Sequence, residues 1–316
     1  MSTPIKVIDL FAGPGGLGEG FSAVGPDNSP LFKIVVSVEK EISAHKTLTL
    51  RAFTREFSNR ILPKEYYKYI RGEIDKKALI NAYPTEWAAA EIETFGKPLA
   101  LGEDNDIIHK GISTALGENK APWVLIGGPP CQAYSLAGRS RNLNNANYEP
   151  RADHRHFLYK EYLDVIKKFK PSVFVMENVK GILSSSPTGT PIFDQILTDL
   201  RNPCEDLDDL KYDIFSLSTP SRSSSEVKSE YHPKDFIIKS ENYGIPQARH
   251  RVILLGVRSD ISSDTSDIIL NTSSQVSVGQ VLAEMPRLRS GLSKEQDTPQ
   301  SWSAITSSAL KNAAEK

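Results

Sequence analysis

Apolar residues recur along this chain in two alternating rhythms. Short, nearly unbroken apolar runs at Ile5 to Phe11, Phe32 to Glu39, Trp123 to Ile126, Val173 to Met176, Asp213 to Leu217 and Arg251 to Val257 read as strands. Between them the apolar positions fall three and four apart, as in Leu158, Tyr162, Val165, Ile166 and Phe169. That spacing predicts helices over Gly16 to Ala23, Ile42 to Phe57, His156 to Phe169 and Thr190 to Leu200, with Pro171 ending the third. Strands that are apolar throughout need cover on both faces. The alternation therefore predicts an α/β fold built on a doubly wound, mainly parallel sheet.

Two stretches interrupt the alternation. Residues 58–102, with Tyr66, Tyr67, Tyr69, Trp87 and many charges, look helical and carry no chemical signal, so they read as a helical insertion. Residues 216–229 are serine-rich and polar, the composition of a flexible surface loop. Residues 1–258 thus form one domain, and 259–316 a separate serine- and threonine-rich region with one apolar, helix-like piece at Val276 to Met285.

Composition narrows the chemistry. No apolar run approaches the roughly 20 residues that span a bilayer, so no membrane segment is expected. The N-terminus passes almost directly into a strand without the pattern of a secretion signal, which predicts a cytoplasmic protein. Only Cys131 and Cys204 are present, in no paired ligand spacing and no disulfide framework; a reducing compartment and no structural metal follow. The formal net charge of −1 leaves no global basic field, so any nucleic-acid contact must come from a local patch. One such patch lies between Ala133 and Arg155, where Arg139, Arg141, Arg151 and Arg155 face only Glu149 and Asp153.

Three segments carry candidate chemistry. The turn Gly13-Pro14-Gly15-Gly16-Leu17-Gly18 follows a strand and opens a helix, and Glu39 stands at the tip of the next strand. Glycines there let backbone approach a ligand, and the carboxylate can accept from both hydroxyls of a ribose; a dinucleotide and S-adenosylmethionine fit equally. Gly127-Gly128-Pro129-Pro130-Cys131 lies just past a strand's carboxyl end, where open α/β sheets place their ligands, and presents one thiol from an irregular loop. Glu177-Asn178-Val179 ends another strand, and Gln247-Ala248-Arg249-His250-Arg251 leads into the last one with two arginines on one face. Alone, Glu177 reads as a turn carboxylate and the arginines as a solvated edge.

Taken in order, Asp9-Leu10-Phe11-Ala12-Gly13-Pro14-Gly15-Gly16, Pro129-Pro130-Cys131-Gln132, Glu177-Asn178-Val179 and Gln247-Ala248-Arg249-His250-Arg251 resemble successive motifs of the DNA cytosine-5 methyltransferases of bacterial modification type. The resemblance spans residues 5 to about 258. It implies a Rossmann-like, S-adenosyl-L-methionine-dependent methyltransferase fold, double-stranded DNA as partner, and a place in restriction-modification. It further implies that Phe11, Ala12, Gly13, Gly15, Gly16, Glu39, Asp106, Ile107, Pro130 and Leu158 hold the cofactor. Phe11 would lie by the adenine and Glu39 on the ribose. Asp106 is the acidic adenine-binding position, with Asp104 two residues away as its competitor. Cys131 is the nucleophile, with Glu177, Arg249 and Arg251 acting on the base, Gln132 and Asn178 in support, and Ser135, Arg139, Arg141 and Arg155 on a DNA-contacting loop.

Competing readings remain open at this stage. A nucleotide-linked oxidoreductase accounts for the glycine loop and Glu39 but leaves Cys131, Glu177 and the arginines idle, and one branch of the resembled family methylates transfer RNA. Family members also continue into a target-recognition region and two late motifs, neither visible in Ser259 to Lys316. By the resemblance, the fold is incomplete at its C-terminus and 259–316 is the truncated start of the variable region. The alternative to a chain active alone is then a catalytically incomplete subunit completed by a second polypeptide, or a fragment of one longer protein, and the sequence does not choose between them.

Overall fold

A computed structural model describes residues 3–26, 29–57, 61–118, 121–130, 158–185, 191–204, 210–220, 222–224, 227–262, 268–286 and 289–314, with 222–224 and 227–230 described in backbone only. The chain runs β1 (Ile5–Leu10), α1 (Gly16–Ser22), β2 (Phe32–Val38), α2 (Ile42–Arg55), α3 (Lys64–Ile70), α4 (Lys76–Ala82), α5 (Pro84–Thr94), α6 (Asn105–Leu116) and β3 (Trp123–Gly127). It continues through α7 (Tyr159–Phe169), β4 (Val173–Val179), α8 (Ile192–Arg201), β5 (Tyr212–Phe215), β6 (Arg222–Ser224), β7 (Val227–Glu230), β8 (Ile237–Lys239), β9 (His250–Arg258), α9 (Val278–Leu282) and α10 (Pro299–Ala314).

Seven strands form one sheet in the order β2-β1-β3-β4-β9-β5, with β8 also on β9. Strands β1 to β4 pair in parallel, whereas β9 runs antiparallel to β4, β5 and β8. Only β9 is reversed, so the sheet is the doubly wound, mainly parallel one the sequence predicts. Between β1 and β3 the strand order changes direction, and at such a point the loops at the carboxyl ends part to leave a crevice.

Period-2 alternation divides the core between the two faces. Ile8, Leu10, Leu125, Phe174, Met176, Val252 and Leu254 pack with α6, α7 and α8 through Ile108, Ile112, Tyr162, Ile166, Phe193 and Ile196. On the opposite face Val7, Ile34, Val124 and Ile126 meet Leu17 and Phe21 of α1. Apolar residues on both faces of β1 and β3 are what the continuous runs in the sequence require. Phe53 of α2, Leu79 of α4 and Trp87 and Ala90 of α5 make a separate cluster, so much of the region expected as an insertion packs against α2.

Three local features depart from the sequence expectations. Within 216–229, expected as a flexible loop, β6 and β7 pair as an antiparallel ribbon with Arg222 opposite Glu230. Composition says little about pairing, which is decided by the opposing strand. Helix α6 was hidden because its start is crowded with charge, yet Ile108 and Ile112 sit four apart on its buried face. Residues 58–102 are tied into the body by polar contacts that composition does not show: Glu93 of α5 accepts from Ser37 at 2.8 Å and pairs with Arg55 of α2 at 2.6 Å, while Arg55 also pairs with Glu19 of α1.

Beneath α1, β1 turns Asp9 inward at 1% exposure, with neither carboxyl oxygen hydrogen-bonded among the described residues. Helix α1 rests directly on it, since a Cβ at Gly18 would come within 3.1 Å of Oδ2. Burial, reinforced by the nearby Glu93 charge, pushes the Asp9 pKa to about 8. The Gly18 amide and Arg55 pull the other way, the amide without the alignment of a true hydrogen bond. The folded state thus keeps this proton through neutral pH while an unfolded chain has released it. Stability from this group is fully present below the unfolded carboxyl pKa and is lost as pH rises to about 8. Asp9→Asn, an uncharged isostere, is expected to flatten that slope and to stabilise the protein at pH 8 by on the order of 2 kcal/mol. Urea denaturation at pH 5.5 and pH 8 measures it, and an unchanged slope in the variant means that Asp9 is ionised in the fold.

Candidate active site

The crevice between β1 and β3 is built by the loops that follow the first three parallel strands. After β1 the chain turns through Phe11, Gly13 and Gly15, all with positive φ (55°, 57° and 90°). Glycine takes that conformation freely, whereas Phe11 is held in it against its steric preference. Hydrogen bonds tie the turn to the end of β2: Ala12 N donates to the Val38 carbonyl at 2.9 Å, and Gly13 N donates to Glu39 Oε2 at 2.8 Å. The other oxygen of Glu39 accepts from Glu41 N at 2.6 Å, and the Glu39 carbonyl accepts from Leu99 N at 3.0 Å. Glu39 is thereby the joint among three segments.

A cleft of about 310 Å³ opens there, lined by Phe11, Val38, Glu39, Lys40, Glu41, Leu99, Leu101, Gly128, Pro130 and Leu158. It brings together four residues singled out in the sequence, Phe11, Glu39, Pro130 and Leu158, with Ala12, Gly13, Gly15 and Gly16 in the turn next to Phe11. Asp106 and Ile107 do not line it; they sit exposed in the first turn of α6. Their neighbour Asp104 spends an oxygen on the Ala100 amide at 2.8 Å, and Asn105 accepts from Gly102 N and donates to Glu161, all of which shapes the turn that delivers Leu99 and Leu101. Those two leucines and Gly128 are cleft residues the sequence reading missed. Their signal was a pair of leucines two apart just ahead of a helix start.

The lining fits an adenosine-bearing ligand. Phe11, Leu99, Leu101 and Leu158 offer apolar surface for a flat ring. The Glu39 carboxylate has roughly four acceptor sites, of which the two amides use two, leaving capacity for ribose hydroxyls.

On the far side of Gly128 lies a second group of polar side chains. Glu177 and Arg251 share one face at the edge where β4 and β9 pair, Glu177 opposite Ile253 and Val179 opposite Arg251. Arg251 Nε lies 2.7 Å from Glu177 Oε1, an ion-pair contact off the N–H axis, since that N–H makes no aligned hydrogen bond. Glu177 Oε2 also reaches Gly128, where a Cβ would stand only 3.0 Å away. The neighbouring Gly127 is tighter still, its missing Cβ 2.5 Å from the Leu10 carbonyl oxygen. Both glycines are therefore spacers that let strand ends and the carboxylate close up.

Asn178 points to the opposite face, buried, and donates from Nδ2 to the Pro129 carbonyl at 3.2 Å. It fixes the Pro129-Pro130 segment, which immediately precedes Cys131 in the chain. Cys131 itself, with Gln132, Ser135, Arg139, Arg141 and Arg155, lies outside the described residues. Arg249 precedes β9 with an exposed side chain. Another hollow, of about 330 Å³ and lined in part by Glu19, Arg55 and Glu93, lies by α1 and β2 and contains none of the motif residues. Among the described residues no group of His, Cys, Asp and Glu is arranged to hold a metal, and no helix is long and apolar enough to cross a membrane.

The model of the family described as C-5 cytosine-specific DNA methylase matches residues 73–314. The chain belongs to that family. The match takes in Cys131, Glu177 and Arg251 and begins after the glycine loop. Curated relatives extend the likeness across most of the chain. A type II methyltransferase of Bacillus paralicheniformis is 30% identical over 90% of this chain and 61% of its own length. One from Lysinibacillus sphaericus is 26% identical over 82% of this chain and 46% of its own. A solved DNA modification methyltransferase encoded within an E. coli prophage aligns at 23% identity and a TM-score of 0.48, covering 91% of this chain and 57% of that one. The chain thus spans about half to three fifths of the length of these proteins.

Proposed function

We infer that this chain carries the catalytic part of a DNA cytosine-5 methyltransferase, working in restriction-modification on a cytosine flipped out of double-stranded DNA. The observation that carries the reading is one juxtaposition. Pro130, the residue before Cys131, lines the cleft beside Phe11 and Glu39, and Gly128 in that cleft also approaches Glu177, which is paired with Arg251. Cofactor, nucleophile and base-binding groups would then meet around one loop.

S-adenosylmethionine, when bound, supplies an electrophilic methyl group. Phe11, Leu99, Leu101 and Leu158 would hold its adenine and Glu39 its ribose. Carbon 5 of cytosine is a poor nucleophile, so the Cys131 thiolate adds to carbon 6 and makes carbon 5 enamine-like. A free thiol of pKa about 8.5 is only a few per cent thiolate at neutral pH, and cations nearby raise that fraction. Glu177, protonated in the complex, donates to ring nitrogen 3 and accepts from the exocyclic amine, which recognises cytosine and stabilises the adduct. Arg251 takes the carbonyl oxygen at position 2, turning from Glu177 toward the incoming base, and Arg249 meets a phosphate. After methylation a proton leaves carbon 5 to water and Cys131 is expelled. The base must leave the stack for any of this, at a cost of about a few kcal/mol.

Further polypeptide, on a second chain or in a longer form of this one, belongs to this reading. Helix α9 presents Val278, Val281 and Leu282, and Met285 follows in the turn after it, each roughly half exposed, and neither α9 nor α10 buries a side chain. An apolar stripe left in water favours a covering partner.

Three outcomes are expected. Cys131→Ser abolishes methyl transfer while S-adenosylhomocysteine binding by calorimetry stays within about twofold, because only thiolate chemistry is lost; labelled methyl reaching DNA at the wild-type rate would exclude Cys131 as nucleophile. Glu177→Gln lowers kcat by about 10²-fold or more, and weaker DNA binding at unchanged kcat would make Glu177 a positioning group. Methylation of mixed-sequence DNA is weak for the purified 316-residue chain and rises when the polypeptide encoded immediately downstream is mixed with it or joined to it. Robust, sequence-specific methylation by the chain alone overturns the need for a partner.

A further inference from the structure

His250, between the two arginines, is gripped by a carboxylate that no step above uses. The segment from β8 to β9 is a loop whose base is closed three times. Lys239 lies opposite His250 in the ladder, Ser240 donates to the Arg249 carbonyl from N at 3.1 Å and from Oγ at 2.8 Å, and Glu241 Oε1 lies 2.7 Å from His250 Nε2. Above that base the chain turns at Gly244, with φ of 75°, and leaves Ile245, Gln247, Ala248 and Arg249 exposed. The loop is thus a projection on a fixed stem.

The grip on His250 is not one that stability alone would select. Glu241 Oε2 is covered and without a hydrogen-bond partner among the described residues, so half of the carboxylate's hydrogen-bonding capacity goes unused although the side chain as a whole is partly exposed. Its own backbone amide, then the His250 ring, holds the Glu241 carboxyl below its usual range, as a fixed anion. Along β9 the side chains alternate. His250 therefore falls on the side of Val252 and Leu254, opposite to Arg251. Glu241 touches neither the cleft nor the Glu177–Arg251 pair and can act on them only through backbone.

Through backbone, its reach differs for the two arginines. Arg251 is held in the ladder from both sides, by Val179 of β4 and Ile238 of β8. Arg249 lies beyond the last pair with β4, and its position depends on Ser240 and on how His250 is held. We propose that Glu241 is a positioning residue: by gripping His250 it aims the exposed Arg249 guanidinium at a phosphate of the DNA backbone. This rests on the DNA-methylating reading above.

The test uses the full chain and a mixed-sequence duplex, with affinity followed by fluorescence anisotropy over a range of salt. Loss of one phosphate contact lowers the slope of log affinity against log salt by about one. Arg249→Gln should show that loss. Glu241→Gln, which takes the negative charge out of the grip, and His250→Asn, whose shorter side chain no longer reaches Glu241, should show the same loss, and adding Arg249→Gln to either should cost nothing more. Cofactor affinity, read as S-adenosylhomocysteine binding, and the melting temperature of Glu241→Gln should match wild type. If Arg249→Gln lowers the slope and both grip variants leave it unchanged, the positioning role is overturned while the DNA reading stands. If wild type binds S-adenosylhomocysteine but shows no salt-dependent affinity for the duplex, the DNA reading falls and this inference with it. Should Glu241→Gln fail to fold, His250→Asn decides by the same criteria.

Discussion

The site depends on the reversal of one strand. Glu177 stands at the carboxyl end of β4, whereas Arg249 and Arg251 stand at the amino end of the strand they lead into. Were β9 parallel to β4, these ends would lie at opposite edges of the sheet, separated by the length of a strand at roughly 3.3 Å per residue. Because β9 is antiparallel, Val179 falls opposite Arg251 and the guanidinium meets the carboxylate. The same reversal sends the β8–β9 loop out at the edge where the ligand crevice opens, so its exposed tip and the cleft share one end of the sheet.

Around that edge the polar contacts are made mostly by residues that end strands. Glu39 ends β2 and gathers the amides of Gly13 and Glu41, Asn178 near the end of β4 holds Pro129, and Asp104 holds the Ala100 amide. Each satisfies a backbone group that an irregular loop would otherwise leave unpaired. The glycines do the complementary work: at Gly127 and Gly128 absent side chains let backbone and carboxylate approach to distances that a Cβ would forbid. Close approach and satisfied amides together turn three separate loops into one wall. The cost appears beneath the wall, where Asp9 is buried without hydrogen bonds and is driven toward its neutral form.

The strands and most helices were legible in the sequence because burial on two faces writes itself as continuous apolar runs and helical spacing as threes and fours. Glu39 was legible because turn glycines followed by a strand-end carboxylate mark a binding loop, whereas Phe11, Pro130 and Leu158 were reached only through the family resemblance; the four do share one cleft. Leu99 and Leu101 were not, since an apolar pair in a connecting segment reads the same whether it lines a ligand cleft or merely anchors a loop. Nor was the direction of β9, because alternation is identical read from either end; direction is set by the length and path of the connection. The grip of Glu241 on His250 was hidden for a related reason: nine residues apart in the chain, they meet only because β8 and β9 pair.

The segment after β9 follows a different physics from the rest. Its start is tied to the body by Leu270 N on the Leu217 carbonyl and Ser273 N on the Asn242 carbonyl, so it crosses the same 240–249 loop that carries Arg249. Beyond that point its order is local: a capping box between Ser277 and Gln280 starts α9, and Arg289 stacks on Trp302 while pairing with Asp297. Helices as short as α9 are unstable without tertiary cover, which here is lacking among the described residues. Any surface that covered the α9 stripe would therefore be coupled, through Ser273 and Asn242, to the loop that presents Arg249. Covering the segment and aiming the arginine would then be linked events rather than independent ones.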